Sequence, residues 1–203
     1  MSRPVVIGIA GGIGSGKSTV ARAMAEDGAL LYDADSAVVD LYRDARVLDE
    51  LASWWGADVV HEGGLDRARV ADIIFADPAQ RARLEGLLFP MLAQARSDLY
   101  DRAEREGVPA VVVDAPLLFE AGLDTECDVV VFVDTPGDER LVRLRGRSGW
   151  DAGELDRREQ AQLPLADKRA RSRYTLGGAG SVADVATRAR ALLRQIIRTH
   201  ATG

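Results

Sequence analysis

The sequence predicts an α/β fold built around a parallel sheet, and three observations support this prediction. Continuous apolar runs, typical of strands buried on both faces, alternate with stretches of helical periodicity. A glycine-rich stretch joins the first apolar run to the first helical one, and aspartates close three of the runs. Because ligands of such sheets bind beyond the carboxyl ends of the strands, we expect these aspartates at a functional edge.

The individual elements follow from periodicity and from the turn residues between them. Helices are predicted over 18–26 and 182–197 and over most of 36–105, where Glu62-Gly63-Gly64 and Asp77-Pro78 interrupt the helical pattern. Right-handed crossovers would place the strands side by side in one sheet. The predicted strands are 5–10, 29–32, 108–113, 129–133 and 174–176.

Composition restricts the class of protein. The chain has 203 residues, of which 47% are hydrophobic, so it can bury a sizeable core. Its net charge of −6 argues against a general nucleic-acid-binding surface, and no apolar run approaches the ~20 residues that span a bilayer. A single cysteine, Cys127, excludes an internal disulfide, and the first residues lack the pattern of a signal peptide. We expect a cytoplasmic protein with neither nucleic-acid nor membrane partners; its oligomeric state is unknown.

The stretch Gly-Gly-Ile-Gly-Ser-Gly-Lys-Ser-Thr at 11–19 has the spacing of a phosphate-binding loop. Glycines permit conformations in which successive N–H groups face an anion, and the following helix adds partial positive charge. Lys17 can reach the β- and γ-phosphates of a nucleoside triphosphate. The alternative, a glycine-rich turn with an exposed lysine, fits poorly because only two of the 26 basic residues are lysine. The predicted nucleotide-binding residues are Gly12, Ile13, Gly14, Ser15, Gly16, Lys17, Ser18 and Thr19.

Three carboxylates follow predicted strands. If 33–35 is extended, Asp33 and Asp35 point the same way, so that one could take a proton from an attacking hydroxyl while the other holds water on a metal. Either could instead cap the next helix, although we favour chemistry for Asp35. Asp114 closes its strand like the acid of a Walker B segment, with a strand-end turn as the alternative. We expect Mg²⁺ at Ser18, Asp33 and Asp114.

Two later segments could complete a site. The loop Pro116-Leu117-Leu118-Phe119-Glu120 is apolar where loops are usually polar, so it either packs beneath the helical region or lines a pocket for an organic acceptor. Residues 140–173 are rich in arginine and interleaved with acids, which is typical of solvated helices with i,i+4 ion pairs. Phosphoryl transfer also needs cations near the γ-phosphate, and Arg143 and Arg147, one helical turn apart, could face it together.

Taken in order, these motifs resemble the dephospho-coenzyme A kinase family over nearly the whole chain. The resemblance implies a three-layer P-loop kinase fold with a parallel five-stranded sheet, a helical acceptor-binding insert and a small helical lid. It implies a nucleotide-binding core at 1–40, 101–139 and 174–203, an insert at 41–100 and an arginine-rich lid at 140–173. Besides 11–19, the matching segments are Asp33-Ala34-Asp35, Ile74-Phe75-Ala76-Asp77-Pro78, Leu84-Glu85-Gly86-Leu87-Leu88-Phe89-Pro90, Pro116-Leu117-Leu118-Phe119-Glu120, Arg143-Leu144-x-x-Arg147 and Gln162-Leu163-Pro164-Leu165-x-x-Lys168.

The family's reaction is the last step of coenzyme A synthesis, in which ATP phosphorylates the ribose 3′-hydroxyl of dephospho-coenzyme A. The resemblance therefore implies ATP and Mg²⁺, with Asp35 taking the proton of the hydroxyl. Lys17, Arg143 and Arg147 would spread the developing charge. The implied acceptor contacts are Asp33, Asp35, Pro116, Leu117, Leu118 and Phe119.

Three positions depart from the family pattern. Phe89 stands where the family usually has His, Ser148 where it has Asp, and Leu176-Gly177-Gly178 where it reads Ile-Asp-Asn, whose Asn would help hold adenine. Another small-molecule or nucleotide kinase of the same fold is the alternative enzyme. A GTPase of the Asn-Lys-x-Asp type is excluded because the chain has no asparagine, and a scaffold protein would not need the glycine loop.

Overall fold

The computed structural model describes residues 3–61 and 64–201 of the chain. The predicted turn residues Glu62 and Gly63 lie outside these ranges. The strands are β1 Val5–Gly11, β2 Leu30–Asp33, β3 Val60–His61, β4 Gly64–Leu65, β5 Ala110–Asp114, β6 Val129–Asp134 and β7 Tyr174–Gly177. The helices are α1 Lys17–Glu26, α2 Ala34–Leu41, α3 Ala45–Trp55, α4 Arg67–Ala76, α5 Pro78–Glu106, α6 Gly137–Ser148, α7 Ala152–Gln160, α8 Leu165–Ala170 and α9 Val182–Ala201.

Five of the strands form one parallel sheet in the order β2-β5-β1-β6-β7, which confirms the predicted sheet. β1 lies at its centre, with Ile7 in register with Val112 on one side and Val129 on the other. Asp33 is in register with Asp114. The carboxyl ends of the inner strands therefore meet where β1 passes into the glycine loop.

The two faces of this sheet are covered by different elements. On one face, the buried side chains of α1 and α9, such as Met24 and Leu193, pack against Ile7 and Val131. On the other face, a Cβ added at Gly8 would lie 2.9 Å from both Leu118 Cδ2 and Cys127 Sγ. The result is the three-layer arrangement expected from the sequence.

The chain divides into two compact units, Met1–Asp33 with Leu99–Gly203, and Ala34–Asp98. The second unit is helical apart from the β3–β4 hairpin, which the sequence did not predict. Asp44 and Asp66 cap α3 and α4 by accepting hydrogen bonds from backbone N–H groups of the first turn. Its separate core comprises Val47, Leu51, Val59, Leu65, Val70, Leu84 and Leu88.

The second unit covers nearly the region predicted as an insert, 41–100. α7 and α8, which fall in the predicted lid at 140–173, belong to the first unit. Among the described helices, none is long and apolar enough to cross a membrane.

One local prediction was wrong. The stretch 33–35 is not extended, because β2 ends at Asp33 and α2 begins at Ala34. Asp35 therefore lies in the first turn of a helix, where a carboxylate is favoured by the partial positive charge of the helix N-terminus. The prediction that Asp33 and Asp35 point the same way, which assumed an extended strand, therefore does not hold. Asp33 ends the first compact unit, and Asp35 belongs to the second.

Candidate functional site

The loop between β1 and α1 adopts conformations that glycine permits. Gly14 has a φ of 76° and Gly16 a φ of 94°, both in the left-handed region. Gly16 is the N-cap of α1 and offers no capping side chain. Among the described residues, no acceptor is hydrogen-bonded to the backbone N–H groups of Gly16, Lys17 and Ser18. These N–H groups and the partial positive charge of the helix form a binding site for an anion.

Lys17 is held within the loop by two backbone oxygens. Its Nζ donates to the carbonyl of Gly11 over 3.2 Å and to that of Gly12 over 3.0 Å. Burial lowers the pKa of Lys17 to about 8, an effect that the nearby Asp114 opposes and that the cation of Arg140 reinforces. The ammonium group therefore lies at the base of the anion-binding loop, where the charge of Asp114 stabilises it.

The residues predicted to bind a metal all lie in the first compact unit. Asp114 is buried at 6% exposure, at the end of β5, and is in register with Asp33. The Ser18 hydroxyl makes no hydrogen bond with the described residues. These residues contain no cluster of three or more Asp, Glu, His or Cys that could hold a metal by itself. Mg²⁺ is usually bound by one or two carboxylates together with substrate phosphates and water, so this set of oxygens suits it.

An ion pair that the sequence analysis did not single out is hydrogen-bonded to the backbone of the glycine loop at Ile13. Arg140 of α6 is buried, and its guanidinium forms an ion pair with Glu159 of α7. Arg140 Nη1 also donates to the Ile13 carbonyl over 3.2 Å, and Glu159 Oε1 accepts from the Ile13 N–H over 3.3 Å. A Cβ at Gly12 would lie 2.6 Å from Arg140 Nη1. The pair thus binds both backbone groups of Ile13, and a side chain at position 12 would displace the Arg140 guanidinium.

Arg143 connects the loop to the segment after β7. Its Nη1 donates to the Ser15 carbonyl over 3.2 Å, and its Nη2 donates to the Gly178 carbonyl over 2.7 Å. Arg143 and Arg147 line one cavity of about 280 Å³ beside the loop. The other lining residues are Gly14, Gly16, Thr19, Leu144, Gly178, Gly180, Val182 and Val185.

The apolar loop after β5 divides into buried and exposed residues. Leu118 and Phe119 are buried, and the Phe119 ring lies 4.4 Å from the guanidinium carbon of Arg171. Pro116 and Leu117 are exposed. The buried pair packs within the first compact unit, where Leu118 lies against Gly8 of β1, and the exposed pair is accessible to a ligand.

The second lysine of the chain anchors the end of this loop. Lys168 is 2% exposed, and its Nζ lies 2.9 Å from both Glu120 Oε1 and Gln162 Oε1. Glu120 also accepts from the Leu163 N–H over 2.9 Å. Burial alone would raise the pKa of Glu120, but the hydrogen bonds from Lys168 and Leu163 outweigh it and lower the pKa. The family-like motif at 162–168 thus supports the apolar loop.

Asp35 lies in the second compact unit, at an open cleft of about 630 Å³. The carboxylate is exposed in the first turn of α2 and shares the cleft with two arginines, Arg43 and Arg67. The sequence analysis did not single out these arginines, which lie 24 positions apart in the chain and have no motif spacing.

Comparison with known proteins gives consistent results. The sequence model of a family described as dephospho-CoA kinase matches residues 5–184. A dephospho-CoA kinase of Anaeromyxobacter dehalogenans is 38% identical over 193 residues, 94% of this chain and 92% of the relative. One of Corynebacterium glutamicum is 35% identical over 193 residues, 94% of this chain and 96% of the relative.

Solved structures give the same fold. A structure of TT1252 from Thermus thermophilus, 34% identical, superposes with a TM-score of 0.76 and covers 96% of this chain and 98% of its own. A dephospho-CoA kinase from Campylobacter jejuni has a TM-score of 0.72 with the same two coverages, and at 20% identity it supports the fold alone.

Proposed function

Since the chain belongs to the dephospho-CoA kinase family, we propose that it carries out the family's reaction with the groups described above. The enzyme transfers the γ-phosphoryl group of ATP to the ribose 3′-hydroxyl of dephospho-coenzyme A, which completes coenzyme A synthesis. The observation that carries this conclusion is the family match over residues 5–184, because it includes the glycine loop, the helical unit and the arginine-rich segment together.

The loop at 11–19 binds the phosphates of ATP in this proposal. Its support is the set of open N–H groups at Gly16, Lys17 and Ser18 and the ammonium group of Lys17 at the base of the loop. On binding, Lys17 exchanges its two carbonyl contacts for phosphate oxygens. Arg143 and Arg147, at the adjoining cavity, neutralise charge that develops on the transferred group.

Asp35 is the residue we assign to the acceptor hydroxyl. It orients the hydroxyl toward the γ-phosphorus and accepts its proton as the new bond forms. Positioning contributes most of the rate, since the transition state of such a transfer is loose. Ser18, Asp33 and Asp114 would hold Mg²⁺, which when bound neutralises charge on the β- and γ-phosphates.

The remaining acceptor contacts are assigned to Asp33 and to the apolar loop. Pro116 and Leu117 are exposed and can touch the acceptor directly, whereas Leu118 and Phe119 support them from the core. A lid formed by 140–173 would close over the nucleotide and exclude water. A cytoplasmic location and the absence of a nucleic-acid partner stay predictions.

An acceptor screen with purified protein tests the function. The protein is mixed with ATP, Mg²⁺ and one acceptor at a time: dephospho-coenzyme A, adenosine, gluconate or shikimate. We expect formation of coenzyme A, detected by chromatography and mass, with a higher kcat/KM than for any other acceptor. Phosphorylation of adenosine, gluconate or shikimate in preference to dephospho-coenzyme A would instead favour the alternative of a different small-molecule or nucleotide kinase on the same fold.

A further inference from the structure

The cleft at Asp35 contains two cations for which the function described so far gives no role. It lies wholly within Ala34–Asp98 and has a volume of about 630 Å³. Its charged residues are Asp35 and Asp40 of α2, Arg43 of the turn after α2, and Arg67 at the start of α4. The remaining lining residues are Ser36, Val38 and Val39.

The short β3–β4 hairpin brings the two arginines to one cleft. The Leu65 N–H donates to the Tyr42 carbonyl over 3.2 Å, so β4 is joined to the turn that carries Arg43. Gly64, with a φ of 128°, permits this approach, because a Cβ there would lie 2.9 Å from the same carbonyl oxygen. α4 begins two residues after β4, which places Arg67 at the cleft with its guanidinium 5.9 Å from the centre of the Tyr42 ring.

Arg43 and Arg67 differ from neighbouring arginines in that they have no carboxylate partner among the described residues. Arg46 forms an ion pair with Asp44 over 2.9 Å, and Arg69 forms one with Asp58. Within residues 3–61 and 64–201, no carboxylate oxygen lies within the 4.0 Å of an ion pair from Arg43 or Arg67. Both guanidinium groups are exposed at the cleft and retain their full capacity to bind an anion.

We propose that Arg43 and Arg67 bind the diphosphate group of the acceptor. This inference rests on the proposed function. In dephospho-coenzyme A the 5′-diphosphate and the 3′-hydroxyl are attached to the same ribose, so a cleft that presents Asp35 to the hydroxyl also receives the diphosphate. Arginine forks pair with phosphate oxygens through two parallel hydrogen bonds. The two cations also offset the repulsion that the carboxylates of Asp35 and Asp40 exert on a diphosphate.

Steady-state kinetics with pyrophosphate as a competing probe tests the proposal. The variants are Arg43→Ala, Arg67→Ala and the double variant; Arg69→Ala is the matched control, because Arg69 lies on α4 but has Asp58 as its partner and does not line the cleft. At saturating ATP, we expect pyrophosphate to inhibit the unmodified enzyme competitively against dephospho-coenzyme A. The double variant should raise the KM for dephospho-coenzyme A and the inhibition constant of pyrophosphate together, each by about tenfold or more, and Arg69→Ala should change neither.

The results that would contradict the diphosphate assignment differ from the result that would contradict the kinase function. An unchanged KM in the double variant, or no competition by pyrophosphate in the unmodified enzyme, would overturn the diphosphate assignment while the kinase function stands. A raised KM with an unchanged inhibition constant would also overturn it, since the arginines would then act elsewhere than on phosphate. Failure of the proposed function is separate: the unmodified enzyme would form no coenzyme A at all. Thermal melting of each variant verifies that the second unit remains folded.

Discussion

The hydroxyl of Thr135 occupies the space that a side chain at position 178 would need, so Thr135 and Gly178 are mutually constrained. A Cβ added at Gly178 would overlap the Thr135 hydroxyl oxygen and would lie 2.8 Å from the Ser15 carbonyl oxygen. That hydroxyl donates to the same carbonyl over 2.8 Å, and the Gly178 carbonyl accepts from Arg143. Threonine at 135 thus supports the glycine loop through the Ser15 carbonyl.

We predict that Gly178→Ala lowers the free energy of unfolding by roughly 1–3 kcal/mol through steric overlap. Thr135→Ala in the same chain should recover part of this loss, because it removes one of the overlapping atoms. Gly177→Ala is the control, since a Cβ there meets no atom within 4 Å. Urea denaturation of the unmodified protein, of each single variant (Gly178→Ala and Thr135→Ala) and of the double variant gives the coupling energy. Purely additive losses at 135 and 178 would contradict the constraint.

Replacement of Asp35 by Asn should reduce kcat for coenzyme A formation by roughly 10²-fold or more, because the amide cannot take the proton of the hydroxyl. ATP binding, measured by calorimetry, should survive, since Asp35 is outside the unit that contains the glycine loop. Asp49→Asn, which changes an exposed residue of α3, serves as the control and should retain the original rate. A full rate in Asp35→Asn would remove this residue from its assigned role.

ATP binding should be coupled to proton uptake by Lys17. The pKa of Lys17 is about 8 in the protein without nucleotide, and phosphate anions raise it. Near pH 8 we therefore expect an uptake of roughly half a proton per ATP from Lys17. Because the bound state holds more protons, this contribution to affinity falls as the pH rises through 8.

Calorimetry of ATP binding in buffers with different ionisation enthalpies measures this uptake. The comparison is Lys17→Arg, whose side chain stays charged throughout this range and should lack this part of the proton uptake. Equal uptake by both proteins would show that the protons bind elsewhere.

Neutralising Glu159 should destabilise the glycine loop, to which Glu159 is hydrogen-bonded at Ile13. In Glu159→Gln the guanidinium of Arg140, whose side chain is 8% exposed, loses its counter-charge, at a cost of roughly 2 kcal/mol in the free energy of unfolding. ATP affinity should fall as well, since the backbone of Ile13 is less firmly held. Glu154→Gln, on the same helix but paired with the exposed Arg157 and Arg158, should leave both quantities unchanged. A Glu159 variant as stable as this control would mean that the buried pair does not stabilise the loop.

The sheet and the glycine loop could be predicted because their causes are local. The apolar run of β1, the glycines at 14 and 16 and the helix after them lie within one short stretch of sequence. The start of α2 was missed because Asp33-Ala34-Asp35 is too short to show either periodicity, and an acid after a strand suits a helix N-terminus equally well.

The interactions that the sequence did not reveal join distant segments. Arg140 and Glu159 lie 19 positions apart on different helices, inside a charged run that is typical of a solvated surface. The burial of Arg140 depends on how α6 packs beside the loop, which no local pattern encodes. Lys168 is a different case: the sequence offered it only as part of the family-like motif at 162–168, and the structure places it among the buried side chains.

The scarcity and shielding of lysine give this chain an unusual chemical selectivity. Of its two lysines, Lys168 is held between Glu120 and Gln162, whereas Lys17 has a pKa of about 8 and presents a substantial fraction of neutral, nucleophilic amine in mild alkali. An amine-directed active ester should therefore acylate Lys17 in preference to Lys168, and bound nucleotide should protect it. Mass spectrometry of the labelled protein would then report occupancy of the glycine loop without any assay of turnover.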